Sequence, residues 1–598
     1  MTVKLCMGNE AIALSALSSG VKIVCGYPGT PSTEIIETIL REKNPNVNVQ
    51  WSVNEKVAME IAAGASYSGA RALVTMKQVG LNVASDPLMS LAYIGVKGGL
   101  VIVAADDPGP WSSQTEQDTR GFAKNANLPV FDPASPEEAY EMISAAYELS
   151  EEFALPVFVR PTTRVCHASA SVDIAETPSE PRFVSGFEKR PEWCIFPALS
   201  YKKHGELEIK QQQLADKFSQ SCFNKIEGNG KFGVAVSGVS YLYAREVIKE
   251  YNLDVTLFKV GNPYPLPDKK AEEFFTRVNS VLVIEELDPI VEEGLLLINQ
   301  GRMPIYGKRT GHTPCNGEFS YEIVKRALFN YLGIEEKPQA AIEMPQLPIR
   351  PPVLCAGCPH RASFYAAKCA MKDEKKVIYC GDIGCYTLGN AAPLNTTDTC
   401  LCMGAGITIA QGLTLAEPGV KTVAFTGDST FFASGITGII NAVYQKTDIT
   451  LIVLDNHTTA MTGHQPHPGT GFTAMGEPTK ALDIETILRA CGVEYVKKVN
   501  PFDFDETVEA ISGAKNFKGP AAVISVAPCI FKAPKPVATH RVNDACIGCM
   551  KCIREIGCPA MTPNKEQKVV IDEALCTSCG LCAGLCPVHA IKEVARDE

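Results

Sequence analysis

The sequence predicts an α/β protein of several open, mainly parallel sheets, followed by a small cysteine-rich α+β domain. Two observations carry that reading. Short apolar runs at 21–25, 72–76, 100–104 and 157–159 are each followed by polar or Gly/Pro-rich residues, and the pattern returns twice further along the chain. The cysteines, in contrast, are concentrated: eight of the 23 fall within the last 53 residues.

Taken in order, residues 1–185 form the first α/β domain. Pro, Lys and Gln clusters over 186–231 predict a linker with an irregular helical piece. A second α/β domain covers 232–336, with strands at 232–236, 255–259 and 281–285 and a helix at 241–250. The Pro-rich stretch 336–352 reads as an interdomain connection. The third α/β domain covers 353–530, with strands at 376–380, 422–426, 450–454 and 521–526. A short Ala/Pro/Lys segment at 533–537 then leads to the last domain, 538–598.

Composition narrows the function. A net charge of −11 argues against a nucleic-acid binder, which needs a surplus of Lys and Arg. No basic stretch followed by an apolar core opens the chain, and no run approaches the ~18 apolar residues of a membrane helix. A soluble, cytoplasmic protein is expected, with no membrane partner. In that compartment cysteines serve as metal ligands or core residues rather than disulfides.

The tail repeats one motif. Cys546, Cys549 and Cys552 are followed by Cys558-Pro559; Cys576, Cys579 and Cys582 are followed by Cys586-Pro587. Three thiolates on a tight loop can hold three corners of a cubane while a fourth arrives from elsewhere. Zinc knuckles also use Cys-x2-Cys pairs, but they gain nothing from a doubled triplet followed by Cys-Pro. The tail resembles a bacterial two-cluster ferredoxin domain. That resemblance implies one 4Fe–4S cluster on Cys546, Cys549, Cys552 and Cys586, and another on Cys576, Cys579, Cys582 and Cys558. One departure is the five-residue gap before Cys558, where three residues are usual.

In the third domain, the predicted strand 422–426 ends in Gly427-Asp428-Ser429, and the strand 450–454 ends in Asp455-Asn456. Open α/β sheets bind ligands at such C-terminal strand ends. The oxygens of Asp428 and Asn456 suit Mg²⁺ bridging to phosphate, Gly427 permits close approach, and a helix starting near Ser434 would point its N-terminus at a diphosphate. A turn Asp and a helix-capping Asn give the same pattern. The pair resembles the thiamine-diphosphate motif, with Ser429 replacing its second Gly and Asp455 its first Asn. The resemblance implies Asp428, Asn456 and the Thr458 carbonyl as metal ligands.

Thiamine also needs a carboxyl hydrogen-bonded to its pyrimidine N1′. Glu55 opens a helix rich in small residues (Ala58, Ala62, Ala63, Gly64, Ala65) and fits that role. A first-turn Glu also satisfies a helix dipole without any ligand, and Glu60 is the alternative carboxyl.

Four segments now resemble the indolepyruvate branch of the 2-oxoacid:ferredoxin oxidoreductases: Gly26-Tyr-Pro-Gly-Thr30, Leu354-Cys-Ala-Gly-Cys-Pro-His-Arg361, Gly427-Asp-Ser-Thr-Phe-Phe432 and Leu454-Asp-Asn-His-Thr-Thr459. Gly29 stands where pyruvate enzymes tend to carry a bulky residue. The resemblance spans nearly the whole chain. It implies a multidomain thiamine-diphosphate-binding fold, with pyrimidine- and diphosphate-binding sheets and a transketolase C-terminal-like middle domain. It also implies oxidative decarboxylation of arylpyruvates to arylacetyl-CoA and CO2, with electrons passed to ferredoxin. Thr30 would hydrogen-bond the substrate, and Arg120 would pair with its carboxylate through a two-pronged guanidinium; a surface salt bridge is the competing role for Arg120. A third, proximal 4Fe–4S cluster would use Cys355, Cys358, Cys385 and Cys529, with Cys380 a rival for Cys385. A smaller beta subunit, coenzyme A and an α2β2 assembly complete the implied system. His457, His464 and His467 would cover the cofactor or order their loop. Two alternatives remain: another 2-oxoacid or a non-redox thiamine decarboxylase, and an electron-transfer protein without thiamine chemistry.

Overall fold

The computed structural model describes residues 2–175, 181–182, 184–335, 345–348 and 350–596. The chain divides into two compact units, Met1–Ile342 and Glu343–Glu598. The Pro-rich connection expected at 336–352 lies largely outside the described residues.

The first unit is built on a six-stranded sheet in the order Asn48–Trp51, Ile23–Gly26, Ala72–Lys77, Leu100–Ala105, Val157–Val159, Val130–Phe131, all parallel. Helices cover both faces, so the central strands are continuous apolar runs; every residue of Leu100–Ala105 is buried. The parallel register brings the C-terminal ends together, with Gly26 opposite Trp51 and Thr75, and Lys77 opposite Ala105. Thr30, Glu55, Lys77, Asp106 and Asp107 therefore all follow or end strands at one edge of the sheet.

A second sheet in the same unit runs Ile305–Tyr306, Ser280–Ile284, Phe232–Val236, Val255–Lys259, Lys225–Glu227, with only the last strand antiparallel. The irregular linker expected over 186–231 is corrected here. Residues Pro197–Ser219 form one regular helix that buries Leu207, Leu214, Ala215 and Phe218, and Lys225–Glu227 is the edge strand. Its polar surface hides a narrow apolar stripe, which the Lys and Gln clusters masked.

The second unit has a five-stranded parallel sheet, Val377–Cys380, Lys421–Gly427, Thr450–Asp455, Ala521–Val526, Tyr495–Val499. The tail adds two antiparallel pairs, Ala538–Val542 with Ile591–Ala595 and Met561–Pro563 with Val569–Ile571. Apolar tail residues Ile556, Met561, Leu581 and Leu585 share one core with Ala362 and Tyr365 of the helix Pro359–Met371. That helix begins directly after Cys358, so the tail docks on the element that follows the Cys355–Cys358 loop.

Candidate active site and cysteine cages

In the first unit, Glu55 opens the helix Glu55–Tyr67, and Asn54 caps it by accepting a hydrogen bond from Val57 N at 2.9 Å. The carboxyl is buried, and a glycine makes the room: a Cβ on Gly80 would lie 2.5 Å from Glu55 Oε1. Burial pushes Glu55 up to about 7, against a backbone hydrogen bond and the positive charge of Lys77. A carboxyl poised near neutrality can share a proton with a ligand nitrogen, which is the task of a pyrimidine N1′ partner. Thr30 is half-buried in the loop after Ile23–Gly26. Its carbonyl accepts from Ser112 Oγ at 3.3 Å, and its hydroxyl makes none of the hydrogen bonds found among the described residues.

Arg120 requires a correction. Its guanidinium is 1% exposed. Nε donates to both oxygens of Asp118 at 3.0 and 3.1 Å, and Nη1 donates to Glu285 Oε2 at 3.0 Å and Ser237 Oγ at 3.3 Å. Nη2 donates to Asp118 Oδ2, Glu286 O and Asp288 O at 2.6, 2.7 and 3.0 Å. Burial opposes its charge, but Asp118 and Glu285 outweigh burial and hold the proton firmly. No donor remains for a substrate carboxylate; Arg120 ties the residues after Ser280–Ile284 to the first sheet.

In the second unit, Asp428 and Asn456 follow neighbouring parallel strands. Asp428 Oδ2 accepts from Asn456 N at 3.2 Å and lies 3.0 Å from His467 Nε2, while Oδ1 accepts from Ser429 N at 2.8 Å. Asn456 Oδ1 accepts from Thr458 N at 3.2 Å, and its amide donates to His360 Nε2 at 3.3 Å. Burial takes His360 down to about 4, so the ring is neutral and can accept. Thr458 Oγ1 is buried without a partner. A carboxylate, an amide oxygen, a main-chain carbonyl and an orphan hydroxyl make a set of hard oxygens that suits Mg²⁺.

Two expectations change in detail. Helical structure begins at Asp428, not near Ser434, and passes through a π-helical turn at Phe431–Gly435 into Ile436–Gln445. What approaches Gly427 is protein: a Cβ there would lie 2.5 Å from Tyr386 Cε1. Of the three histidines, His467 contacts Asp428, His457 pairs with Asp455 at 3.0 Å, and His464 lies against the Phe531 ring.

Cys529 is tied to this site through the main chain, its N–H donating to Asn456 O at 3.0 Å. Cys355, Cys358, Cys385 and Cys529 lie near enough to act on one another electrostatically. Burial takes Cys358 to about 12 and Cys385 to about 11, and the neighbouring thiols push the same way. Cys380 is instead fully buried at the end of Val377–Cys380. In the tail, Cys546, Cys549, Cys552 and Cys586 line one small cavity; Cys558, Cys576, Cys579 and Cys582 line another. Each cavity gathers three cysteines of one triplet and the Cys-Pro cysteine of the other half. Among the described residues no three His, Cys, Asp or Glu groups are arranged around a single metal ion.

The second tail cavity is also lined by Ala356 and Gly357 of the Cys355–Cys358 loop. A Cβ on Gly357 would stand 1.7 Å from Thr577 Oγ1, so only glycine lets the two cysteine loops touch. Arg361 fastens the seam. Nη2 donates to Leu354 O at 2.6 Å, and Nη1 donates to Ile556 O and Gly557 O at 2.5 and 3.0 Å. The lengthened gap before Cys558 supplies those last two carbonyls. Arg361, Lys77, His360 and Asp382 had no assigned role in the sequence reading. Asp382 accepts from Gly404 N at 2.8 and 2.9 Å and from Thr426 Oγ1 at 3.0 Å, and burial takes it to about 7. Lys77 offered one signal, a charge closing an otherwise apolar strand.

This fold and these sites define a class: thiamine-diphosphate proteins that carry iron–sulfur clusters in the same chain. Residues 15–199 match the family described as pyruvate flavodoxin/ferredoxin oxidoreductase, thiamine diphosphate-binding; 382–525 match the thiamine pyrophosphate enzyme C-terminal TPP-binding domain; and 569–592 match the 4Fe–4S binding domain. The indolepyruvate oxidoreductase subunit IorA of Archaeoglobus fulgidus is 41% identical over 98% of this chain and 97% of its own length. The IorA subunit of Pyrococcus horikoshii is 40% identical over 99% and 97%. The chain belongs to the IorA family of indolepyruvate oxidoreductase subunits. A solved 2-oxoglutarate:ferredoxin oxidoreductase from Magnetococcus marinus aligns with TM-score 0.45 at 17% identity, over 55% of this chain and 65% of that one, just under two thirds. Among the described residues no helix is long and apolar enough to cross a membrane.

Proposed function

We propose that the chain is the large subunit of an enzyme that oxidatively decarboxylates arylpyruvates, indolepyruvate first among them. One arylpyruvate, one coenzyme A and two oxidised ferredoxins would give arylacetyl-CoA, CO2, one proton and two reduced ferredoxins. The observation that carries this reading is the gathering of the eight tail cysteines into two four-cysteine cavities, in the same chain as the buried Glu55. A non-redox thiamine decarboxylase has no use for those cages.

Thiamine diphosphate, when bound, supplies the electron sink that lets the carboxylate depart. Glu55 holds a proton or hydrogen bond at the pyrimidine N1′, and its position near neutrality suits it to do so. The free Thr30 hydroxyl orients the substrate. Asp428, Asn456 and the Thr458 carbonyl hold Mg²⁺, flanked by Gly427 and Ser429. Three 4Fe–4S clusters would occupy the Cys355/358/385/529 set and the two tail cavities. A smaller beta subunit, an α2β2 assembly and a cytoplasmic setting belong to the same proposal.

The test is anaerobic turnover of indolepyruvate with coenzyme A and methyl viologen, using the chain with its co-purified partner, wild type against Glu55→Gln. Viologen reduction that falls about 10²- to 10⁴-fold in the variant is expected for loss of a proton-handling group. No reduction by wild type loaded with thiamine and iron would overturn the arylpyruvate reading.

A further inference from the structure

A 2-oxoacid arrives as an anion, and a partly buried pocket that binds it needs a cation with a free donor. The two buried arginines on this sheet edge are closed to a ligand. Arg120 is saturated as described; Arg160 donates to Asp106 Oδ2 at 2.6 Å and Asp132 Oδ1 at 3.3 Å, and its Nη2, though unpartnered, is sealed from solvent. One cation at that edge is different. Lys77 ends the strand Ala72–Lys77 and is partly buried, yet its ammonium makes none of the ion pairs or hydrogen bonds found among the described residues.

Its surroundings are informative. The loop that carries Thr30 lies along the Lys77 stem: a Cβ on Gly29 would stand 3.1 Å from Lys77 Cγ and 3.2 Å from Cδ. Gly29 thus makes room for the lysine, and a larger residue there would push the stem aside. Two carboxyls act on the ammonium, Glu55 and Asp107. Asp107 is fully engaged, Oδ1 accepting from Thr163 Oγ1 at 2.6 Å and Oδ2 from Ser112 N and Ser113 N at 2.9 and 3.0 Å. Glu55 is the group whose proton the chemistry needs. Burial meanwhile disfavours the lone charge on Lys77. A half-desolvated ammonium with no ion-pair or hydrogen-bond partner among the described residues, on a stem packed against the loop that carries Thr30, is a receptor for a carboxylate.

We propose that Lys77 receives the carboxylate of the 2-oxoacid substrate, with Gly29 as the residue that lets its side chain lie in place. The inference rests on the arylpyruvate reading above. It makes Lys77 a substrate-binding residue, distinct from a counter-ion that only tunes Glu55.

The test uses the thiamine-loaded complex of the full chain with its partner. Isothermal titration compares a 3-arylpropionate with its neutral amide, and steady-state kinetics separate KM from kcat. Wild type should bind the acid more tightly than the amide. Lys77→Gln should lose that preference and raise KM for indolepyruvate by about 10- to 100-fold, the size of one charge-assisted hydrogen bond, with a smaller change in kcat. Lys77→Arg should keep the acid preference, and Gly29→Ala should weaken acid binding with the charge still present. An unchanged acid preference in a folded, iron-replete Lys77→Gln complex would overturn the proposal, as would a fall in kcat at constant KM. If wild type turns over no arylpyruvate, the functional reading fails by itself, whereas normal wild-type turnover with an indifferent Lys77→Gln variant sinks only the lysine.

Discussion

The pocket around Glu55 and the thiol cages of the second unit both take ionisable groups out of water, and burial raises the pKa in each. In the first, burial stops at about 7, so the carboxyl exchanges its proton near the pH of a cell. In the second, burial carries Cys358 and Cys582 to about 12. Protein alone then keeps those thiols protonated, and only a bound cation can displace the protons to make the thiolates a cluster needs. Glycines shape both regions: Gly80 gives Glu55 its volume, and Gly357 lets two cysteine loops meet. The first region is thus finished as protein, whereas the thiols of the second would need a bound metal to become ligands.

The largest effect that sharpens this contrast concerns Arg120, which belongs to the finished region. Arg120→Met would leave Asp118 and Glu285 buried without their cation, a loss of about 3–5 kcal/mol. Thermal melting should show a lower midpoint, with KM for arylpyruvate little changed in whatever protein folds. A stable variant with a raised KM would return Arg120 to substrate binding.

Next comes the pH dependence of Glu55. Its pKa is about 7 in the folded chain, against a usual 4.5. Between those values the folded state holds the extra proton, so stability falls as pH rises through this window, and the loss is complete above pH 7. Glu55→Gln should therefore stabilise the thiamine-free complex at pH 8 by on the order of 3 kcal/mol at most, seen as a raised melting midpoint. That gain should shrink as the pH falls towards 5. An equal gain at both pH values would mean a packing effect and would remove the distinction between the two regions.

The same contrast explains what was legible in the sequence. The tail cysteines come in local triplets, so spacing alone grouped Cys546, Cys549 and Cys552, and the ferredoxin resemblance supplied Cys586, which lines the same cavity. The three α/β domains were visible because parallel strands buried on both faces must be apolar runs. Glu55 stood out as a candidate because thiamine chemistry needs a carboxyl and this one opens a helix of small residues; its burial is what the sequence did not show. What escaped depends on distant neighbours. Arg120 looks free in sequence, yet Glu285, Glu286 and Asp288 close over it from 165 to 168 residues away. The proposed role of Lys77 rests on Gly29 lying along its stem, and no local pattern records that. The helix Pro197–Ser219 was missed because its buried stripe is thin among Lys, Gln and Glu.

The smallest expected effect probes the seam between the two cysteine loops. Arg361→Met keeps much of the side chain's bulk but removes the donors to Leu354 O, Ile556 O and Gly557 O, leaving buried carbonyls unsatisfied at a cost of about 2 kcal/mol. The loss should be local. Hydrogen exchange should quicken around 354–358 and 556–558, and the spin–spin broadening between reduced clusters should weaken as their separation becomes less defined. Thiamine binding should stay at the wild-type level, because Arg361 donates to none of Glu55, Asp428, Asn456 or Thr458. A variant with unchanged exchange would mean that the Gly357–Thr577 contact alone holds the seam. Loss of thiamine binding together with loosening of the seam would instead show that the diphosphate-metal site at Asp428 and Asn456 depends on the seam.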